Sequence, residues 1–333
     1  MRKYLLPQKR FYKANLHCHT ICSDGNLTSE QIKEEYQKEG YSIVAFTDHE
    51  FIVDRSYLSD DNFLALNGYE YSVTRPGSKT FDDAVCYHIN FIAVRPDIKK
   101  QIGWNPRNIW FDHKGYADNV EYTGDIYTKE YSLKEVNRLI ETALKNGFIA
   151  AYNHPRWSLH LPEDYLGLKG LFGMEVYNTG CGVCSGDSYA DYENMCERGV
   201  ELAPLACDDN HNRGGIEGLR TPCSDSFGGY TMIAAESLSY EEVISSLISG
   251  GLYASTGAEL KGLYIEDGMV HTECSAVSSV AFYFGGRRWH TLCSDKDDIL
   301  KASCKIPDDA KYIRVALSTT DGKRAFSKAY FKF

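Results

Sequence analysis

Short apolar runs that break off in titratable residues are the feature that most restricts how this chain can fold. Residues 41–47 form such a run and end at Asp48-His49; residues 148–152 lead into Asn153-His154-Pro155; residues 201–206 lead into Cys207-Asp208-Asp209-Asn210-His211. A run of that length between turn signals reads as a buried strand. Ionisable groups at its tip are costly unless they face a site, and the C-terminal ends of strands are where α/β barrels build theirs.

The rest of the chain fits that frame as far as residue 258. Residues 13–19 alternate toward His17 and His19, Thr28-Ser29-Glu30-Gln31 is a capping box that opens a helix, and residues 41–47 supply the next strand, which together make a βαβ unit. Residues 63–71, 84–94 and 173–177 read as further strands. Ser132-Leu133-Lys134-Glu135 is a second capping box, before a helix with Leu133, Val136, Ile140, Ala143 and Leu144 on one face and a stop at Gly147. Ser239 caps a last helix that ends at Gly250-Gly251. Residues 95–129 lose all period while carrying Trp104, Trp110, Phe111, Tyr116, Tyr122 and Tyr127. Such a segment is either a substrate-facing lid or an excursion packed on the barrel. After Gly257 only short alternating runs remain. The expected fold is therefore α/β: a distorted (β/α)7 TIM-like barrel over residues 1–258 and a small all-β, sandwich-like domain over 259–333.

Bulk composition excludes some functions. The 333 residues carry a net charge of -10, which argues against a nucleic-acid polymer or an anionic membrane as partner. The N-terminal apolar run, Tyr4 to Leu6, is far short of a signal sequence, and no stretch approaches a transmembrane helix. Eleven cysteines without regular spacing fit reduced thiols and a cytoplasmic location. Cys181-x-x-Cys184 is the one spacing that also admits a structural zinc site.

Nine side chains qualify as metal ligands: His17, His19, Asp24, His49, Glu70, His88, His154, Asp209 and His211. His17 and His19 share one face of a strand, as two ligands of one ion would; a packed strand pair is the bland reading. Asp24, in Ser23-Asp24-Gly25, reads equally as a turn residue. Glu70, after Asn67-Gly68-Tyr69, is a carboxylate able to bridge two cations or a solvated strand-end acid. His88 lies inside an apolar strand, where a hydrogen-bonded core histidine competes.

Taken in order, Asn-Leu-His-Cys-His-Thr, Ser-Asp-Gly, Phe-Thr-Asp-His, Gly-Tyr-Glu, the His88 strand, Asn-His-Pro and Asp-Asn-His resemble the PHP (polymerase and histidinol phosphatase) superfamily over about residues 12–258. The resemblance implies a seven-stranded β/α barrel with two or three metals at the strand ends. One would be held by His17, His19, Glu70 and Asp209, a second by Glu70, His88 and His154, and a third by Asp24, His49 and His211. Some members have histidine where this chain has Asp24. Gly229 to Ala235, the helix after Ser239 and the stretch from Gly251 to Gly257 are similar to the carbaryl-hydrolase-type branch, whose members often carry a small β-sandwich afterwards.

The expected activity is metal-dependent hydrolysis of a small phosphate monoester, with Mn, Fe or Zn as the ions. Two cations bridged by Glu70 would activate a bridging hydroxide toward phosphorus. Arg156, after Asn-His-Pro, is the candidate phosphate clamp, with Arg213 and Arg220 as substitutes. His211, or His49, is the candidate acid if the third metal is missing. Asp48 and Asp208 are placed to orient neighbouring imidazoles. The same centre acting on a carboxylester, amide or carbamate, or a non-catalytic metal module, are the competing readings.

Overall fold

The computed structural model describes residues 1–182 and 186–333. Its strands are β1 (Lys3–Tyr4), β2 (Arg10–Asn15), β3 (Ile43–Phe46), β4 (Leu64–Thr74), β5 (Cys86–Ala93), β6 (Phe148–Tyr152), β7 (Leu171–Asn178), β8 (Ala203–Cys207), β9 (Tyr230–Ala235) and β10 (Leu252–Ser255). The C-terminal part adds β11 (Leu260–Glu266), β12 (Met269–Val277), β13 (Ser279–Tyr283), β14 (Trp289–Cys293), β15 (Ile299–Lys305), β16 (Arg314–Ser318) and β17 (Arg324–Ser327). The main helices are α1 (Ser29–Lys38), α2 (Leu133–Lys145), α3 (Tyr189–Glu197) and α4 (Tyr240–Ser249). Among the described residues no helix is long and apolar enough to cross a membrane.

Local chemistry explains the helix starts. Thr28 Oγ1 accepts from Gln31 N (3.3 Å) while Gln31 Oε1 accepts from Thr28 N (2.9 Å), a complete capping box on α1. On α2 only half of the expected box forms. Ser132 caps Glu135 N, but the Glu135 carboxylate is taken by Arg138 at 2.7 Å. On α4, Ser239 caps Glu242 N, and Gly250 closes the helix in the left-handed region at φ 72°.

Strands run in the order β14-β13-β16-β17-β10-β9-β2-β3-β4-β5-β6-β7-β8, with β2-β3-β4 and β6-β7-β8 parallel. Between these groups β4 pairs antiparallel with β5, because residues 75–85 are too short a connection for a helical crossover, and β5 pairs antiparallel with β6. Alternate residues along β2, β3, β4, β5, β6, β8 and β9, among them Ala14, Ile43, Leu66, Ile92, Ala151, Leu205 and Ile233, form one core with Val243, Ile244 and Leu247 of α4. The sheet thus curls around a common interior.

The expected closed (β/α)7 barrel is not formed: among the described residues no ladder joins β8 back to the other edge. Thr231 of β9 explains the gap, since its hydroxyl accepts from Ala206 N (3.2 Å) and donates to Ala206 O (3.0 Å), occupying the groups a ladder would use. The strand tips are tied instead by Asp209 N to His17 O (3.0 Å) and His19 N to Asn210 O (3.1 Å). These two bonds lie among the candidate ligands.

Beyond residue 258 every pairing is antiparallel. The sheet β1-β11-β12-β15 and the β13-β14-β16-β17 end of the long sheet enclose a core with Leu263, Val270, Val280, Phe282, Ile313 and Val315. This is the expected all-β, sandwich-like part. Its β17 pairs with β10 and its β11 with β1, so both sheets contain strands from before residue 258.

Candidate metal centre

Glu70 lies mid-way along β4, two residues beyond a close backbone approach: a Cβ on Gly68 would stand 2.7 Å from Phe91 O. Asn153 Nδ2 donates to Glu70 Oε1 at 2.7 Å, which sets the plane of the carboxylate. Its two oxygens then face different imidazoles. Oε1 is 2.9 Å from His88 Nδ1, 3.2 Å from His17 Nε2 and 3.4 Å from His154 Nε2. Oε2 is 2.9 Å from His49 Nδ1 and 3.5 Å from His19 Nε2.

Asp209 closes the cluster from β8, its Oδ1 3.2 Å from His17 Nε2 and 3.0 Å from His19 Nε2. It sits at φ 52°, and His154 at φ 23°, backbone regions that cost a non-glycine residue energy. On the other flank Asp24 approaches His49 Nε2 (3.7 Å), His19 Nδ1 (3.9 Å) and His211 Nε2 (3.3 Å). Gly25 permits that turn, because a Cβ there would meet His19 O at 2.7 Å.

All nine expected ligands therefore come to one place. Eight of them supply donor atoms to overlapping groups, each within 4.8 Å: His17, His19 and Glu70; Glu70, His88 and His154; and His19, Asp24, His49 and His211; a fourth group joins His17 and His154 to Glu175, and Asp209 lies outside all four. Three of those atoms, Asp24 Oδ1, His49 Nδ1 and Glu70 Oε2, are buried without a well-formed hydrogen bond. Orphaned lone pairs that converge from imidazoles and carboxylates match what divalent cations bind.

Charge inside the cluster is strongly coupled. Burial opposes ionisation of Glu70, yet His88, His17 and His49 hold its carboxyl well below the usual range. Burial likewise opposes protonation of His17, but Asp209, Glu70 and Glu175 raise it well above an ordinary imidazole. His19 is driven down to about 4 by burial and by the charges of His49 and His211. His211, against burial, is raised to about 9 by its hydrogen bond to Asp24 and by the charge of Asp209.

Glu175, on β7, is the important residue that the sequence reading passed over. Its Oε1 lies 2.8 Å from His17 Nδ1, and Oε2 accepts from His154 N (3.0 Å) and Asn178 Nδ2 (2.8 Å). The signal was present: a lone acid between Met174 and Val176 in an apolar strand. Asp48 reaches an imidazole only through Ser23, and Asp208 is engaged elsewhere. Asp48 accepts from Thr20 N (2.8 Å) and Ser23 Oγ (2.9 Å), and Ser23 Oγ in turn stands 3.5 Å from His19 Nδ1. Asp208, pushed up to about 6 by burial, accepts from Phe227 N, Thr179 Oγ1 and Tyr36 OH and ties down the loop before β9.

The centre opens into a cavity of about 1140 Å3 lined by Asp24, His49, Glu70, His88, His154, Asp209 and His211. Among the described lining residues the one arginine is Arg213. Arg156 is exposed, and its backbone N–H reaches Ser188 Oγ at 3.4 Å; Arg220 is paired with Glu35 and Glu39, each at 2.9 Å. Of the Cys181-x-x-Cys184 pair, Cys181 lines the cavity, while Cys184 lies outside the described residues.

No protein-family model matches the chain, and no curated protein matches it. Among solved structures it is similar to a two-domain protein from Bacteroides vulgatus containing a predicted PHP-like metal-dependent phosphoesterase, at 14% identity and a TM-score of 0.46 over 98% of each chain. A candidate metal-dependent phosphoesterase from Bifidobacterium adolescentis is similar at 18% identity and a TM-score of 0.40, over 66% of this chain and 94% of its own. An amidohydrolase from Chromobacterium violaceum with bound sulfate and no metal is similar at 18% identity and a TM-score of 0.37, over 60% of this chain and 88% of its own.

Proposed function

We propose that this chain is a metal-dependent hydrolase of small phosphate monoesters. The observation that carries this reading is the division of Glu70, whose Oε1 faces His17, His88 and His154 while Oε2 faces His19 and His49. A carboxylate so placed is built to be shared between cations. His17, His19, Glu70 and Asp209 would hold one ion, Glu70, His88 and His154 a second, and Asp24, His49 and His211 a third. Imidazole with carboxylate suits Mn, Fe or Zn. Cations bound there would supply positive charge against phosphoryl oxygens and the acidity that turns water into a nucleophile at neutral pH.

The chain's own residues do the rest. Asn153 and Glu175 hold Glu70 and His17 in orientation. Arg213, lining the same cavity, takes the role of phosphate clamp more readily than the outward-lying Arg156. Were the third ion missing, His211, beside Asp24 at the cavity side, would be the group to release or accept a proton. The scattered, irregularly spaced cysteines of the sequence fit a reducing, cytoplasmic setting.

Purified protein should contain divalent metal and release phosphate from monoesters with added Mn²⁺, Fe²⁺ or Zn²⁺. His17→Ala and Glu70→Gln should each remove metal and abolish turnover. Activity that survives both substitutions would sink the assignment, and turnover of carboxyl esters alone would move the reaction to carbon.

A further inference from the structure

The cavity is larger than a phosphate group requires and stands at the upper end of small-molecule pockets. Its rim is aromatic. Trp110 and Phe81 line it while 62% and 74% exposed, and Trp157 and Leu159 line it beside them. Large apolar side chains left open to solvent around a concave site are where a ligand's apolar part belongs.

Each ring is tied to the metal ligands. The Trp110 ring centroid is 5.3 Å from His49, that of Trp157 is 5.4 Å from His88 and 4.9 Å from His154, and Phe81 meets Trp157 edge-on at 5.8 Å. A ring bound among them would project from an ester whose phosphate lies on the cations.

Nor is Trp110 carried on a loose flap. It packs edge-on against Phe111 at 5.1 Å, and Phe111 stacks on the buried Phe51. The segment bearing it is fastened at both ends to neighbours of the ligands His49 and Glu70: Gln101 Nε2 donates to Glu50 O (2.9 Å), Tyr69 OH to Ile102 O (3.0 Å), and Lys129 Nζ to both Glu50 oxygens (2.6 and 2.7 Å). A wall ordered before binding loses little entropy when a ligand arrives.

We propose that Trp110, Trp157 and Phe81 form a subsite for a flat, uncharged ring on the leaving group, so that the substrates are phosphate monoesters of ring-bearing alcohols. This rests on the phosphomonoesterase reading. The test compares 2-naphthylmethyl phosphate and benzyl phosphate with glycerol phosphate, whose leaving alcohols are all aliphatic, so that ring binding and not leaving-group acidity is read. The naphthyl ester should exceed glycerol phosphate in kcat/KM by roughly tenfold or more, and that ratio should collapse toward one in Trp110→Ala and fall in Phe81→Ala. Phe81 is mostly exposed, so its variant stays informative if Trp110→Ala misfolds. A ratio near one in the wild type, or a ratio unchanged in both variants, overturns the subsite. Should the wild type cleave no phosphate ester, the activity reading fails and calorimetry with 2-naphthylmethylphosphonate decides the subsite. Binding that Phe81→Ala weakens supports it, and absence of binding overturns it.

Discussion

Which nitrogen of His17 faces Glu70 is decided by one hydrogen bond made 158 positions away in sequence. With Nδ1–H donated to Glu175, a His17 ring that gives up its second proton to a cation would present the Nε2 lone pair, the tautomer such an ion needs. Glu175 also accepts from His154 N and Asn178 Nδ2, so it is surrounded by donors alone. Replacing it by glutamine sets an amide N–H against one of them. Glu175→Gln should therefore weaken metal affinity by about 10- to 100-fold, measured by competition with a chelating dye, while the protein stays folded by circular dichroism. Unchanged affinity would mean that His17 is held by the metal alone. His49, His154 and Asp209 were legible as polar residues where an apolar run breaks off, whereas Asp24 sits in a turn; Glu175 gave a similar sign inside a strand, as His88 did.

At the scale of elements, the segment from residue 95 to 130 shows what periodicity cannot reach. Its aromatic content marked it as either lid or packed excursion, and the structure makes it a fixed wall with Trp104 and Ala117 buried beside Cys22 and Phe51. Its C-terminal anchor is Lys129, whose ammonium lies between the Glu50 oxygens, 3.3 Å from Ser72 Oγ and 4.6 Å over the Tyr71 ring. Glu50 adjoins His49 and holds φ 69°, so the pair also secures a ligand-bearing turn. Lys129→Met strands a buried carboxylate and should cost about 3 kcal/mol or more of stability, read by urea denaturation together with faster proteolysis between residues 101 and 128. A loss below about 1 kcal/mol would show that Glu50 finds another partner. Capping boxes were readable because they are contacts three residues apart, and even there Arg138 diverted one of them.

Over the whole molecule, the change of pattern near residue 258 does not coincide with a break in hydrogen bonding. The ladder passes from β10 to β17, and β1 pairs with β11. Arg314, fully buried on β16, reaches Tyr189 and Glu193 of α3 and lies 4.2 Å from the Tyr283 ring centroid. A chain ended at residue 258 would bare the β10 edge and remove the partner of α3. It should lose the sharp thermal transition of the full chain, which should unfold in one step by calorimetry. Two separated transitions in the full chain, or a stable 1–258 fragment, would instead make the halves independent.

Most barrel strands, the capped helix starts, the all-β character of the C-terminal part and the ligand residue types could be read without coordinates, since each is a property of neighbours within a few positions; α3, which has no side-chain cap, could not. Closure of the sheet, the pairing of His17 with Glu175, and the seating of Trp110 against His49 were beyond such reading. They depend on which side chain arrives first at a shared partner, as when the Thr231 hydroxyl takes the groups of Ala206 that another strand would have used. That competition is settled only when distant segments are packed together.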